Sequence, residues 1–283
     1  MTTLFVNRLT VMDLSYLDPD RGLVGESWLV DVELDGSLDH QGMVLDFALV
    51  KKQVKESIDR HFDHKLLVPA GYAGCSISVR EHRSELHFKM TSGLEIRHSS
   101  PLSAVTTIDT AQIDEESLSM AIVETLQPDL PDNVKAIRLR LHTESIDGAY
   151  YQYSHGLKHH AGNCQRIAHG HRSRLEILRN GERDLQLEKE WAERWHDIYI
   201  ANRTDLLEAF NKGGTDFYRF GYTANQGLFE LELPQASCHI IDTDTTVENI
   251  AQYLASTLKQ HYPGDSFKVY AYEGADKGAI GLM

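Results

Sequence analysis

The sequence predicts an α+β fold made of two copies of one domain, and three observations support this prediction. Motifs recur in the same order after about 130 residues. Short runs that alternate between polar and apolar residues indicate half-buried strands, and stretches with helical apolar spacing indicate two helices in each copy. The copies are residues 1–147 and 148–283, and each is expected to place its helices on one face of an antiparallel sheet.

The repeat is clearest at the end of each copy. In the first copy, Asp114–Leu118 opens a helical stretch, which is followed by a turn, an alternating run (Ile137–Thr143) and Glu144. In the second copy, Thr246–Ile250 opens a helical stretch, which is followed by a turn, a second alternating run and Glu273. The matching order indicates a duplicated unit rather than two unrelated domains.

The earlier elements of the two copies follow similar patterns. Ser27–Leu34 alternates like a strand, and Asp46 is placed to cap the helix that follows. Hairpins are predicted around Gly93 and Gly227. The predicted apolar face of the helix after Asp46 consists of Phe47, Val50, Val54, Ile58 and Phe62. A shorter predicted helix in copy two has an apolar face of Leu187, Trp191, Trp195 and Ile198.

Composition excludes several classes of function. The net charge of −14 argues against general affinity for nucleic acid or for an anionic membrane, since both require a basic surface. No apolar run approaches the ~20 residues of a membrane span, and the first residues lack the pattern of a signal peptide. Three cysteines do not make a disulfide scaffold. We therefore expect a soluble, cytoplasmic protein with free thiols.

Histidines are concentrated early in copy two. His169 and His171 stand two positions apart in an alternating run, so they project from one face of a strand, and Gly170 between them leaves the other face open. His155 lies on an earlier strand-like stretch, so a hairpin would let three imidazoles converge. Three protein nitrogens and an open fourth position are typical of catalytic zinc. The alternative is that this segment is a solvated strand end.

Two further groups have chemical potential. Cys164 lies in a polar loop near basic residues, which favours the thiolate, although an isolated cysteine is more often part of a core. Asp63 and His64 follow the first helix, where the aspartate can orient the imidazole. The end of a helix also favours cationic side chains for purely structural reasons. His159 and His160 are interpreted as loop residues.

Together these motifs resemble the family of 6-pyruvoyltetrahydropterin synthase and of 6-carboxytetrahydropterin synthase, the latter an enzyme of queuosine biosynthesis. The resemblance lies in the histidine, cysteine and His-Gly-His segment, in Gly42–Leu67, and in Thr245–Leu254 followed by Val269–Gly274. It implies two tandem tunnelling-fold domains, each an antiparallel four-stranded sheet with two helices on one face. It also implies assembly into barrels, and hence a homo-oligomer with sites at domain interfaces.

The resemblance further implies a Zn²⁺-dependent lyase that acts on a small pterin triphosphate, 7,8-dihydroneopterin triphosphate. A carboxylate facing two N–H donors of the pterin would form a charge-assisted pair. The implied zinc ligands are His155, His169 and His171, and the implied general base is Cys164. The implied proton relay is His64 together with Asp63. The implied substrate-binding residues are Glu273, Thr246 and Glu144.

Each copy departs from the family pattern in a different place. Copy one has Met12–Tyr16 and Gly25–Trp28 where the zinc histidines would stand, and copy two has His196 and Asp197 in reversed order. In the family, the thiol and the Asp-His pair come from neighbouring subunits. We therefore predict one composite site, in which residues 1–147 supply Asp-His and residues 148–283 supply the zinc ligands and the cysteine.

The product is left open by the sequence. The segment from Thr246 to Ile250 favours 6-carboxytetrahydropterin synthase activity, and the alternatives are 6-pyruvoyltetrahydropterin synthase activity or a non-catalytic pterin-binding protein. A dihydropterin aldolase of the same fold is disfavoured by the His-Gly-His segment and by the cysteine.

Overall fold

A computed structural model describes residues 1–283 and shows one order of elements twice, with two additional strands in the second copy. The first copy consists of β1 (Thr2–Asp18), β2 (Gly22–Gly36), α1 (Phe47–His61), β3 (Leu66–Pro69), β4 (Cys75–Arg80), β5 (Arg83–Lys89), β6 (Glu95–Pro101), β7 (Val105–Ile108), α2 (Glu115–Leu126) and β8 (Val134–Thr143). The second consists of β9 (Tyr150–His155), β10 (His169–Arg179), β11 (Glu182–Arg183), α3 (Leu185–Arg194), β12 (Ile198–Asn202), β13 (Leu206–Lys212), β14 (Thr215–Ala224), β15 (Gly227–Pro234), β16 (Cys238–Ile241), α4 (Val247–His261), β17 (Phe267–Tyr272) and β18 (Gly278–Leu282).

Each copy builds a main sheet with the same strand order. The order is β7-β3-β1-β2-β8 in the first copy and β16-β12-β9-β10-β17 in the second, where β18 extends the sheet beyond β17. The α+β class and the duplication are thus confirmed. The sheets have more than four strands, and the added strands β3 and β7, like β12 and β16, run parallel to their neighbours. The helix between β2 and β3 carries the chain back across the sheet, which makes the parallel pairing of β1 with β3 feasible.

Helix α1 begins after the predicted capping residue Asp46, and α4 begins after Thr246, the residue that opens the predicted helical stretch. Asp46 accepts hydrogen bonds from the backbone N–H groups of Ala48 and Leu49, and Thr246 accepts one from Asn249. These bonds satisfy donors that the first turn of a helix leaves without partners. No helix of the chain combines the length and the apolarity that a membrane span requires.

Two predicted helix faces need correction. Phe47 at the start of α1 is 52% exposed, so the buried face of this helix consists of Val50, Val54 and Ile58. In copy two, α3 ends at Arg194. Trp195 and Ile198 are buried, but Trp195 is the capping residue and Ile198 opens β12. Trp195 and Ile198 continue the apolar spacing of α3 because they enter the same core from the adjoining turn and strand.

A third sheet joins the two copies. Its order is β13-β14-β15-β6-β5-β4, so the predicted hairpin of copy one pairs edge to edge with that of copy two through β6 and β15. Beneath it lies a separate core to which both copies contribute, including Phe88 and Ile96 from the first and Phe220 and Phe229 from the second. The copies therefore share backbone hydrogen bonds and buried apolar surface, and pack as one body.

Candidate active site at the junction of the two copies

Three buried histidines converge at one end of the β9–β10 hairpin. His155 lies directly opposite His169 in the strand register, and His171 projects on the same side of β10 as His169. The Nε2 atoms of His155 and His171 are 3.2 Å apart, and one nitrogen from each of the three rings lies within 4.8 Å of the others. All three residues are at most 1% exposed. The predicted convergence is thus present in the structure.

The outer nitrogen of each ring faces an oxygen. His155 Nδ1 lies 2.9 Å from the carbonyl oxygen of Thr245, and His169 Nδ1 lies 3.0 Å from that of Arg166. A carbonyl oxygen only accepts, so these Nδ1 atoms carry the proton and the Nε2 atoms hold free lone pairs. His171 Nδ1 lies 3.3 Å from a carboxylate oxygen of Asp13, which belongs to copy one.

This donor set fits a zinc ion. Histidine ligands in zinc sites usually bind the metal through one nitrogen and donate the other N–H to a carbonyl or carboxylate. Burial also lowers the pKa of His155 and of His169 well below the usual value, so both rings are neutral, as metal ligands must be. The three residues present a buried cluster of imidazole nitrogens, which is the ligand chemistry that catalytic zinc selects.

A second cluster lies against the first and draws on both copies. His64 from copy one, Cys164 and His169 bring ligand-type atoms within 4.8 Å of one another. The ring centroids of His64 and His169 are 5.3 Å apart. His64 Nδ1 lies 2.6 Å from a carboxylate oxygen of Asp63. The structure thus brings the predicted cysteine, the Asp-His pair and the histidine triad together within one chain.

The surroundings of His64 favour its charged form. Burial by itself lowers the pKa of this imidazole, but hydrogen bonds to Asp63 and to Cys164 outweigh burial and raise the pKa to about 10. The backbone at His64 has a φ of 53°, in the left-handed region that few residues other than glycine adopt. The side chain lies beside the thiol of Cys164.

Close backbone contact makes this junction possible. A Cβ atom on Gly25 would lie 1.9 Å from the carbonyl oxygen of Tyr153, and one on Gly170 would lie 2.6 Å from the Cα atom of Gly25. The hydroxyl groups of Ser15 and Ser154 are 2.7 Å apart across the same contact. The face of β10 opposite the histidines, which the sequence suggested was open, is therefore filled by β2 of copy one.

The predicted substrate-binding residues occupy three different settings. An Oε1 atom of Glu273 lies 3.9 Å from His171 Nε2, so this carboxylate borders the triad. Thr246 caps α4, while its neighbour Thr245 is the residue that contacts His155. Glu144 accepts a hydrogen bond of 2.6 Å from Arg174 rather than facing the histidines. The roles of Glu273, Thr246 and Glu144 toward a ligand remain predictions.

The corresponding place in copy one has different chemistry. By strand register, Tyr16, Val24 and Glu26 stand where the second copy has its three histidines. Arg21 reaches across from copy one and donates two hydrogen bonds, of 2.8 and 2.6 Å, to the carboxylate of Asp197. Arg21 also donates to Gln152 of copy two, which in turn donates to Glu26. An ion pair between the copies therefore lies where a second site would be.

Glu26 provides a prediction about stability and pH. Burial raises the pKa of this carboxyl group from 4.5 to about 7, despite the hydrogen bonds that it accepts. Because the pKa of Glu26 is higher in the folded state, its contribution to the free energy of unfolding is largest below pH ~4.5. This contribution is lost as the pH rises through about 7. We expect Glu26→Gln to match the wild type at pH 4.5 and to exceed its unfolding free energy at pH 8, by at most about 3 kcal/mol.

Urea denaturation of both proteins at several pH values measures this difference. The matched control is Glu33→Gln, which changes a largely exposed carboxylate on the same strand. A Glu26→Gln difference that stays constant from pH 4.5 to 8 would contradict the prediction.

Two contributors to the site were missed by the sequence analysis. Thr245 and Asp13 both approach triad histidines, but each comes from a distant segment of the chain. For Thr245, adjacency to the predicted Thr246 was the only signal. For Asp13, the signal was an acidic residue within the mainly apolar run Val11–Leu17, where a buried charge requires a partner.

Comparison with known proteins adds a family relationship to this geometry. The sequence matches the family described as 6-pyruvoyl tetrahydropterin synthase over residues 11–153 and again over residues 145–280. A protein of Pyrococcus horikoshii, provisionally named 6-carboxy-5,6,7,8-tetrahydropterin synthase, is 25% identical over 133 residues, which are 46% of this chain and 74% of the relative. A Pyrococcus abyssi protein with the same provisional name is 26% identical over 130 residues, with the same coverage.

Solved structures of similar proteins are also known. The 6-pyruvoyl tetrahydropterin synthase of Plasmodium vivax is 19% identical and superimposes with a TM-score of 0.42, covering 51% of this chain and 91% of that one. The corresponding Plasmodium falciparum protein is 15% identical with a TM-score of 0.41, covering 50% and 90% of the two chains.

Proposed function

Because this chain belongs to the 6-pyruvoyl tetrahydropterin synthase family, we propose that it is a zinc-dependent lyase acting on 7,8-dihydroneopterin triphosphate. The two successive family matches confirm the predicted tandem domains. We favour 6-carboxytetrahydropterin as the product, which agrees with the provisional names of the two archaeal relatives. The observation that carries the proposal is the meeting of the histidine triad with Cys164 and His64.

Each residue has a role that its surroundings support. A zinc ion bound by His155, His169 and His171 would polarise a hydroxyl or carbonyl oxygen of the substrate side chain. Cys164 removes a proton from the substrate as the general base. His64, held by Asp63, donates and accepts protons beside it.

Substrate orientation is assigned to the carboxylate that borders the triad. Glu273 is proposed to accept the paired N–H donors of the pterin ring, and its position beside His171 supports this role. Thr246 is proposed to line the same pocket. The proposal includes a homo-oligomer, as the family resemblance implies, with sites at the junctions between domains.

The test combines metal content with turnover. The purified protein is expected to contain about one zinc ion per chain, because copy one lacks a histidine triad. It is also expected to convert 7,8-dihydroneopterin triphosphate, with mass spectrometry of the product separating carboxy- from pyruvoyl-pterin. His169→Ala should lose both zinc and turnover. His159→Ala, which changes an exposed loop histidine, is the matched control and should keep both.

Other results would overturn parts of the proposal. About two zinc ions per chain would contradict the division of labour between the copies. Tight pterin binding without turnover, or a protein without zinc, would favour the non-catalytic alternative. Turnover that survives in His169→Ala would show that the triad does not serve the reaction.

A further inference from the structure

Asp13 of copy one is a buried carboxylate at the centre of the junction. It lies on β1, in the copy that has no histidine triad, and is 4% exposed. Its Oδ1 atom accepts a 2.6 Å hydrogen bond from the Ser27 hydroxyl group and lies 3.3 Å from His171 Nδ1. Its Oδ2 atom accepts a 3.0 Å hydrogen bond from the ammonium group of Lys277.

The carboxylate faces a ring nitrogen that has no other partner. His171 Nδ1 is buried, and no hydrogen bond of good geometry satisfies it. A buried N–H group without an acceptor is unfavourable, so the nearby Asp13 oxygen matters for the orientation of this ring. His155 and His169 have backbone carbonyl oxygens in the equivalent role, so Asp13 is the one charged acceptor among the three contacts.

The backbone of the same residue supports the second cluster. The Asp13 N–H donates a 2.8 Å hydrogen bond to Asp63 Oδ1, and the Asp13 carbonyl oxygen accepts a 2.8 Å bond from the His64 N–H. Asp13 thus touches a triad histidine through its side chain and the Asp-His pair through its main chain. Asp13 therefore connects the histidine triad to the Asp63–His64 pair, and the proposed reaction depends on the distance between these two groups.

We propose that Asp13 is a positioning residue that fixes the proton of His171 on Nδ1 and holds its Nε2 toward the metal. This inference rests on the proposed zinc function. A carboxylate acceptor raises the basicity of a histidine ligand and restricts rotation of its ring, and loss of such a partner typically weakens metal binding by about 10–100-fold. The copy without a triad therefore contributes to the metal site as well as to the proton relay.

Zinc affinity tests this role independently of turnover. The dissociation constant of the full-length protein for zinc is measured by competition with a chromophoric chelator, and the visible spectrum of the cobalt-loaded protein reports ligand geometry. We expect Asp13→Asn to raise the dissociation constant by about 10–100-fold and to change the cobalt spectrum. Asp13→Glu should restore part of the affinity, because it returns the charged acceptor.

Two further variants make the result interpretable. Ser27→Ala removes the hydroxyl group that donates to Asp13 Oδ1 and accepts a 3.2 Å hydrogen bond from the backbone N–H of Arg172. It keeps the carboxylate and should weaken zinc binding less than Asp13→Asn does. If Asp13→Asn does not fold, the zinc affinity of Ser27→Ala tests the role of Asp13 in its place. Asp276→Asn is the matched control, since this exposed aspartate pairs with Arg8, and it should bind zinc like the wild type.

The outcomes separate this inference from the proposed function. Folded Asp13→Asn that binds zinc within about twofold of the wild type, with the same cobalt spectrum, would overturn the role of Asp13. If Asp13→Asn is unfolded, wild-type affinity in Ser27→Ala would overturn it. A wild-type protein that binds no zinc would overturn the proposed function, and this role with it.

Discussion

Cys164→Ala and His64→Ala are each expected to lower the turnover of 7,8-dihydroneopterin triphosphate by about 10²–10⁴-fold, which is the usual contribution of a positioned acid or base. The two side chains lie together beside His169, so we expect the general base and the proton relay to act as one unit. For the same reason, the double variant should be little slower than the slower single variant. Steady-state kinetics with product detection by chromatography measures these rates.

The design separates a chemical role from a structural one. Neither side chain belongs to the proposed zinc ligands, so both variants should retain about one zinc ion per chain. Cys75→Ala is the matched control, because it removes a half-buried thiol from β4 in the shared sheet and should leave turnover unchanged. Rates within threefold of the wild type in both single variants would refute the composite site.

Gly25→Ala is expected to destabilise the protein by about 3 kcal/mol or more. The added Cβ would lie 1.9 Å from the carbonyl oxygen of Tyr153 and 2.8 Å from the backbone nitrogen of His171. Both neighbours are main-chain atoms of paired strands, so no flexible side chain can move aside. Relief requires β2 to separate from β9 and β10, and that movement also disturbs the strand that carries His171.

Urea denaturation measures this effect, with Gly264→Ala as the control. A Cβ atom on Gly264 would have no heavy atom within 4 Å among its non-adjacent neighbours, so we expect a change of less than about 0.5 kcal/mol. A Gly25→Ala protein that unfolds at the same urea concentration as the wild type would show that the two sheets separate without cost.

Local signals in the sequence predicted the parts of the fold that local forces determine. Asp46 and Thr246 begin helices because their side chains satisfy nearby backbone donors, a property that the sequence displays directly. The two-residue spacing of His169 and His171 likewise fixes a common face of one strand. Apolar spacing placed Trp195 and Ile198 on a helix because burial alone does not reveal where a helix ends.

Contacts between distant segments were not predictable in the same way. Alternation shows which residues of a strand are buried, but it does not name the strand beside it, so the pairing of β6 with β15 was not expected. The ion pair of Arg21 with Asp197 and the approach of Asp13 to His171 span 176 and 158 residues of chain, respectively, and both arise only when the copies pack. The composite site itself was expected from the complementary losses in the two copies.

The junction of the copies has a consequence for the concentration dependence of the site. His64 and His169 belong to one polypeptide, and the sheet formed through β6 and β15 holds their domains together. Their encounter is therefore a unimolecular step, governed by an effective concentration that dilution does not change. Two separate chains would have to find each other to create the same contact. In this protein, covalent connection makes the meeting of the imidazoles a property of folding alone.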